Sequence, residues 1–120
     1  MPYLIPRTRS VQLDANGNGT VSFEIDNTNQ RWVIDALGCS TSQTLDTTPI
    51  PRFDVYVNGT DNIHWRGGTY NGQRDLASGR IVLYPGDILY CTWTGGIPGT
   101  EATALLDGTF DPAGVPIQDN

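Results

Sequence analysis

The sequence predicts an all-β protein, a single antiparallel β-sandwich of the jelly-roll or Ig-like kind, and four observations carry that reading. Four Asn-Gly dipeptides, Asn16-Gly17, Asn18-Gly19, Asn58-Gly59 and Asn71-Gly72, divide the 120 residues into short runs. Glycine accepts the positive φ that tight turns demand, and asparagine tolerates it. Within the runs, apolar and polar residues alternate with the period of a half-buried strand. No segment holds the ~3.6-residue helical period over three turns, and 11 of the 13 acidic residues are Asp, a turn former, rather than Glu.

Met1 to Arg9 is too apolar for a solvated tail and too proline-rich for a helix, which predicts an extended N-terminal arm over residues 1–9. Val11 and Leu13, the loop Asp14 to Gly19, and Val21, Phe23 and Ile25 predict a first hairpin. Arg31 to Cys39 is nearly continuous apolar sequence, with Trp32, Ile34 and Ala36 expected on one face and Val33, Leu37 and Cys39 on the other. A strand apolar on both faces belongs at the centre of a sandwich. Ser40 to Pro51 is Thr-rich and closed by two prolines, a long loop. Phe53, Val55 and Val57 alternate against Asp54, Tyr56 and Asn58, giving a half-buried strand that stops at Asn58-Gly59. Ile63 to Arg66 reads as a short edge strand before turns at Gly67-Gly68 and Asn71-Gly72. Arg80 to Tyr84 and Ile88 to Trp93 flank Pro85-Gly86, a tight turn expected between adjacent strands. Ala102 to Leu106 is the last strand, and residues 110–120 form an extended C-terminal tail around a sandwich over 10–109. Seven or eight strands at near-regular spacing favour a sandwich or jelly roll over an up-and-down barrel.

A chain of 120 residues fits one domain. Its formal net charge is −6, with seven arginines and no lysine. GC-rich codon usage would account for that preference, and the planar guanidinium also suits two-point contacts with carboxylates at interfaces. The acidic balance and the lack of any basic run argue against nucleic acid as a partner. The apolar runs are far shorter than the ~18 residues of a membrane span, and the N-terminus lacks the apolar core of a secretory signal. A soluble protein made in the cytoplasm, with no membrane partner, is expected. Cys39 and Cys91 lie in apolar strand contexts and read as small buried thiols, with one disulfide as the alternative.

Asp14 to Gly19 matches the opening of a calcium-binding EF-hand loop, but position twelve of such a loop is Ile25, and strands rather than helices flank it. A plain turn is the better reading. His64 is the only histidine, and no spacing joins it to Cys39 or Cys91 as a zinc site or a nucleophile pair. The aspartates fall mostly at turns, where they accept backbone hydrogen bonds, so no general acid and base can be nominated. Asn18-Gly19-Thr20 and Asn58-Gly59-Thr60 fit the glycosylation pattern but read as turns. Gly95 to Gly99 lacks the lysine and helix of a phosphate loop and reads as a connector. No catalytic residue, metal or cofactor is expected.

Contact residues are easier to name. Trp65, Tyr70, Trp93, Tyr56 and Tyr90 could form an aromatic platform for a sugar ring. Trp93 shares a face with Leu89 and Cys91, a pattern of burial, whereas Trp65 sits beside His64 and Arg66 in loop-rich sequence. Trp65, Tyr70 and Arg66, with Tyr3 and Ile5 of the N-terminal arm, are the candidate partner or glycan contacts. An exposed Trp beside an arginine serves equally as a protein anchor.

The run Leu83 to Ala104, which carries Pro85-Gly86 and Trp93-Thr94-Gly95-Gly96 and is followed by Asp107-Gly108-Thr109, resembles small β-sandwich virion proteins of tailed phages that infect actinobacteria. Arg31-Trp32-Val33, the strand Phe53 to Asn58, and Arg66 to Gly72 fit the same layout, so the resemblance spans roughly residues 10 to 109. It implies a structural virion component, a minor tail or collar protein or a capsid decoration protein. Such a protein is made in the host bacterial cytoplasm, joins copies of itself and other virion proteins, and has no catalytic residues. The competing expectation is a carbohydrate-binding module at the tail tip that recognises host cell-wall glycan; a small hydrolase dependent on His64 is a third.

Overall fold

Each alternating strand has one apolar face to remove from water, and two antiparallel sheets stacked face to face bury those faces against each other. The structure, a computed structural model, describes residues 3–4, 7–24, 30–44, 47–69, 71–72 and 74–112. The strands are β1 (Tyr3–Leu4), β2 (Arg7–Gln12), β3 (Gly19–Glu24), β4 (Gln30–Thr41), β5 (Arg52–Val57), β6 (Trp65–Thr69), β7 (Arg74–Leu83), β8 (Ile88–Thr94) and β9 (Glu101–Pro112). A short 3-10 turn, Asn62–His64, precedes β6.

Sheet A has the order β1-β9-β4-β7 with β2 also on β9, and sheet B the order β3-β8-β5-β6. The antiparallel pairs β2 with β9, β3 with β8, β4 with β7 and β5 with β6 are nested like one long hairpin. Folding that hairpin over brings β9 against β4 and β8 against β5, also antiparallel. This is a jelly roll, not an Ig-like sandwich, because among the described strands only β5 and β6 are both consecutive in sequence and paired.

That topology corrects two sequence expectations. β2 and β3 do not form a hairpin: β2 pairs with β9 in sheet A, β3 with β8 in sheet B. The Pro85-Gly86 turn likewise joins β7 to β8 across the sheets. It is tight, with Asp87 N–H donating to the Tyr84 carbonyl at 2.9 Å and Gly86 at φ +91°. Local turn chemistry is the same for a hairpin and for a corner between sheets, so residues alone did not separate them.

A third correction concerns β4. Its register shifts between Ile34 and Ala36, leaving Asp35 as a bulge. The extra residue reverses the alternation, so Trp32 and Ile34 share the core face with Leu37 and Cys39, and Val33 lies outside that cluster. β4 is an inner strand, flanked by β9 and β7, as its two apolar faces require.

The core joins Leu13, Val21 and Phe23 to Phe53, Val55 and Val57, to Leu83, Leu89, Cys91 and Trp93, and to Ala102, Ala104 and Leu106. Phe53 and Trp93 are cross-strand partners whose tilted rings lie 5.1 Å apart. Trp93 Nε1–H donates to the Gly72 carbonyl at 3.2 Å, so the buried indole is satisfied.

Within the extended N-terminal arm expected over residues 1–9, the described residues pair with β9. Arg7, Thr8 and Arg9 face Leu106, Leu105 and Ala104, and Tyr3 and Leu4 face Phe110 and Thr109. Pairing also continues past residue 109, since Pro112 of β9 faces Gln30 of β4. Of the expected tail, residues 113–120 lie outside the described residues. Gly67 and Gly68, expected as a turn, lie within β6.

Candidate functional site

The outer face of sheet B gathers the polar and aromatic side chains. Along β5, Phe53, Val55 and Val57 point into the core, so Arg52, Asp54 and Tyr56 point away from it. Register then sets rows across the sheet. Trp65, Tyr56, Tyr90 and Ser22 form one row, and Gly68, Asp54, Thr92 and Thr20 the next.

Asp54 is the pivot of this face. It is only 6% exposed, and a buried carboxylate needs partners to offset its lost hydration. Arg52 Nε–H supplies one, donating to Oδ2 at 2.9 Å and Oδ1 at 3.1 Å. Trp65 Nε1–H supplies another, donating to Oδ1 at 2.9 Å. Gly68 makes the arrangement possible, because a Cβ there would overlap Asp54 Oδ1 and press on the Phe53 carbonyl at 2.6 Å. The indole is thereby fixed by its N–H while the residue stays 45% exposed. Arg52, Asp54, Tyr56, Asn62 and Trp65 line a hollow of about 320 Å³.

Beside it, the 3-10 turn presents Ile63 at 80% exposure. His64 Nδ1 is hydrogen-bonded to Asp61 Oδ1, and its ring fills the space where a Cβ on Gly59 would sit. That contact with His64 holds the Asp61 carboxyl below its ordinary pKa. Cys39 and Cys91 are free thiols in the core, and burial pushes both up to about 12. They lie in the interior and His64 on a surface turn, so the structure does not assemble the Cys-His pair weighed from sequence. Among the described residues no three His, Cys, Asp or Glu side chains gather as metal ligands would. Asp14 of the EF-like loop instead accepts the Asn16 and Asn18 N–H groups on Oδ1 at 2.8 and 3.0 Å.

Of the expected contact residues, Trp65 lines the hollow and Arg66 is exposed beside it, its Nη1 donating to the Trp65 carbonyl at 3.3 Å. Tyr70 and Ile5 lie outside the described residues, and Tyr3 is placed by its backbone in β1. Tyr56 and Tyr90 share the Trp65 row, while Trp93 is core. Arg52, Asp54 and Asn62 were not singled out from sequence. The alternation of β5 contained the signal for the first two, which fall two residues apart on the face opposite Phe53 and Val55. Asn62 had none.

The two sites of the glycosylation pattern serve turns. Asn18 Oδ1 accepts the Gly95 N–H at 2.9 Å. Asn58, in the left-handed region at φ 65°, binds Asp87 Oδ1 and the Ile88 N–H, each at 2.9 Å. On sheet A, Leu105 is 42% exposed between Thr8 and Gly38. No helix among the described residues is long and apolar enough to cross a membrane. Compared with protein-family models, curated proteins and solved structures, the chain matches none.

Proposed function

We propose that the chain is a structural component of a tailed-phage virion, a minor tail or collar protein or a capsid decoration protein, acting through protein-protein contacts. The observation that carries the reading is the nested strand order, since jelly rolls recur in viral capsid and lectin domains. The run that resembles actinobacteriophage virion proteins supports it. In this fold that run forms the Pro85-Gly86 corner, β8, the Gly95 to Gly99 connector and β9. Partners on this reading are copies of the chain and other virion proteins, with neither nucleic acid nor membrane. Isolated apolar side chains at Ile50, Tyr84 and Leu105 offer contact points on different parts of the surface. The acidic net charge of −6 keeps unassembled copies soluble in the host cytoplasm.

Mass spectrometry of purified particles, separated into heads and tails, tests the proposal. The chain is expected in one fraction at a stoichiometry above one per particle. Its absence from particles in which other minor proteins are detected overturns the reading.

A further inference from the structure

We propose that the outer face of sheet B binds a neutral sugar, stacking a pyranose ring on Trp65 in the hollow lined by Arg52, Asp54, Tyr56 and Asn62. This goes beyond the structural role and stands or falls separately from it. The first argument is preorganisation. A tryptophan on an edge strand would ordinarily sample several rotamers, but the hydrogen bond from Nε1 to Asp54, itself held by Arg52, fixes the ring. A fixed, half-exposed aromatic face is what the apolar C–H face of a pyranose requires, since stacking then costs little ordering.

The second argument is charge. Arg52 and Asp54 form an ion pair at 2.9 Å, so the floor of the hollow carries no net charge and offers little to an anionic ligand. A lipid or other apolar ligand fits poorly, because three of the five lining residues are Arg52, Asp54 and Asn62. What remains is a neutral ligand with hydroxyl groups. The Asn62 amide both donates and accepts, as does the Tyr56 phenol, and this pairing suits vicinal hydroxyls. The volume of about 320 Å³ lies at the small end of ligand sites and matches a short oligosaccharide better than a folded partner. Tyr90, next to Tyr56 in the row, extends the aromatic surface for a second ring.

The test is fluorescence titration of the full chain with neutral hexose and N-acetylhexosamine oligosaccharides, with uronic-acid oligosaccharides as the charged comparison. Trp32 and Trp93 are buried, so a surface ligand acts on Trp65 emission. At least one neutral oligosaccharide is expected to shift that emission saturably at millimolar concentration. Binding, followed by calorimetry in the variants, should weaken roughly tenfold or more in Trp65→Ala, the loss expected for a central aromatic anchor. Circular dichroism checks folding. Should Trp65→Ala fail to fold, Asn62→Ala decides, because Asn62 is exposed on the 3-10 turn outside every strand and its removal should still weaken binding several-fold. Three results overturn the proposal: no response to any neutral sugar, binding indifferent to the decisive variant, or binding of the acidic sugars alone. Loss of particle incorporation in Trp65→Ala without sugar binding would instead assign this face to a protein contact.

Discussion

Gly96 donates its backbone N–H to the Gly17 carbonyl at 2.9 Å, and neither residue has room for a side chain. A Cβ on Gly17 would overlap the Gly96 carbonyl oxygen, and one on Gly96 would meet Leu13 Cδ1 at 2.8 Å and Pro51 Cβ at 3.1 Å. With Leu13 and Gly99 also paired through their backbones, this contact locks the β2–β3 loop to the β8–β9 connector at one end of the sandwich.

Gly17→Ala should therefore destabilise the fold by roughly 2–4 kcal/mol, combining left-handed strain at φ +75° with the steric conflict. Gly86→Ala separates the two causes. Gly86 has φ +91° and nothing within 4 Å of its would-be Cβ, so strain acts alone there, about 1–2 kcal/mol. Urea denaturation of the two variants checks the difference; equal losses would mean that the Gly17–Gly96 contact contributes nothing.

Gly68 and Asp54 supply the second prediction. Gly68→Ala displaces the Asp54 carboxylate and with it the partner of the Trp65 indole. A loss of about 1–3 kcal/mol is expected, the cost of leaving buried polar groups without their partners. Trp65 emission should shift to the red and its anisotropy fall as the ring is released. An unchanged spectrum would show that Asp54 does not hold the ring.

The cysteines set a pH dependence. Burial raises both thiols from 9.0 to about 12 in the folded protein, so the unfolded chain loses these protons first as pH rises. Their contribution is complete below about pH 9 and declines from there towards pH 12. Stability measured by urea denaturation across this range should fall less steeply in a Cys39→Ala/Cys91→Ala variant. At neutral pH a thiol reagent should leave both cysteines unmodified until the protein unfolds. Rapid labelling of the native protein would contradict the burial.

How much was legible in the sequence depends on how local each signal is. Turn residues and alternation are local, and they marked the runs that became β3, β5, β8 and the start of β9 closely. Pairing is not local: nothing in Asn16 to Gly19 distinguishes a hairpin from a crossing between sheets, because the turn geometry is shared and the true partners lie far along the chain, in β8 for β3 and in β9 for β2. The bulge at Asp35 was hidden for a related reason, since one extra residue reverses the faces of Leu37 and Cys39 without altering composition. The site was half visible. Alternation placed Asp54 and Tyr56 on one face, but Arg52 was left out of that reading, and Trp65 reaches Asp54 only through the β5–β6 register and the missing side chain at Gly68.

The N-terminal segment provides the last prediction. Arg9 reaches across the open side of the sandwich, its guanidinium carbon 5.7 Å from the centre of the Phe23 ring, linking the edge of sheet A to the edge of sheet B. Arg9→Ala should cost about 0.5–1 kcal/mol, the size of an exposed cation-π contact. Deleting residues 1–9 should cost far more, because it removes the partners of Leu106, Leu105 and Ala104 and exposes the edge of β9 from Ala104 onward, leaving only Ser10 to Gln12 paired with its start. The truncated chain is expected to melt at lower temperature and to self-associate, which calorimetry and analytical ultracentrifugation would detect. A segment that served only to strap a neighbouring subunit would leave the melting of the isolated monomer unchanged, so the same truncation distinguishes a strand of the sandwich from a free arm.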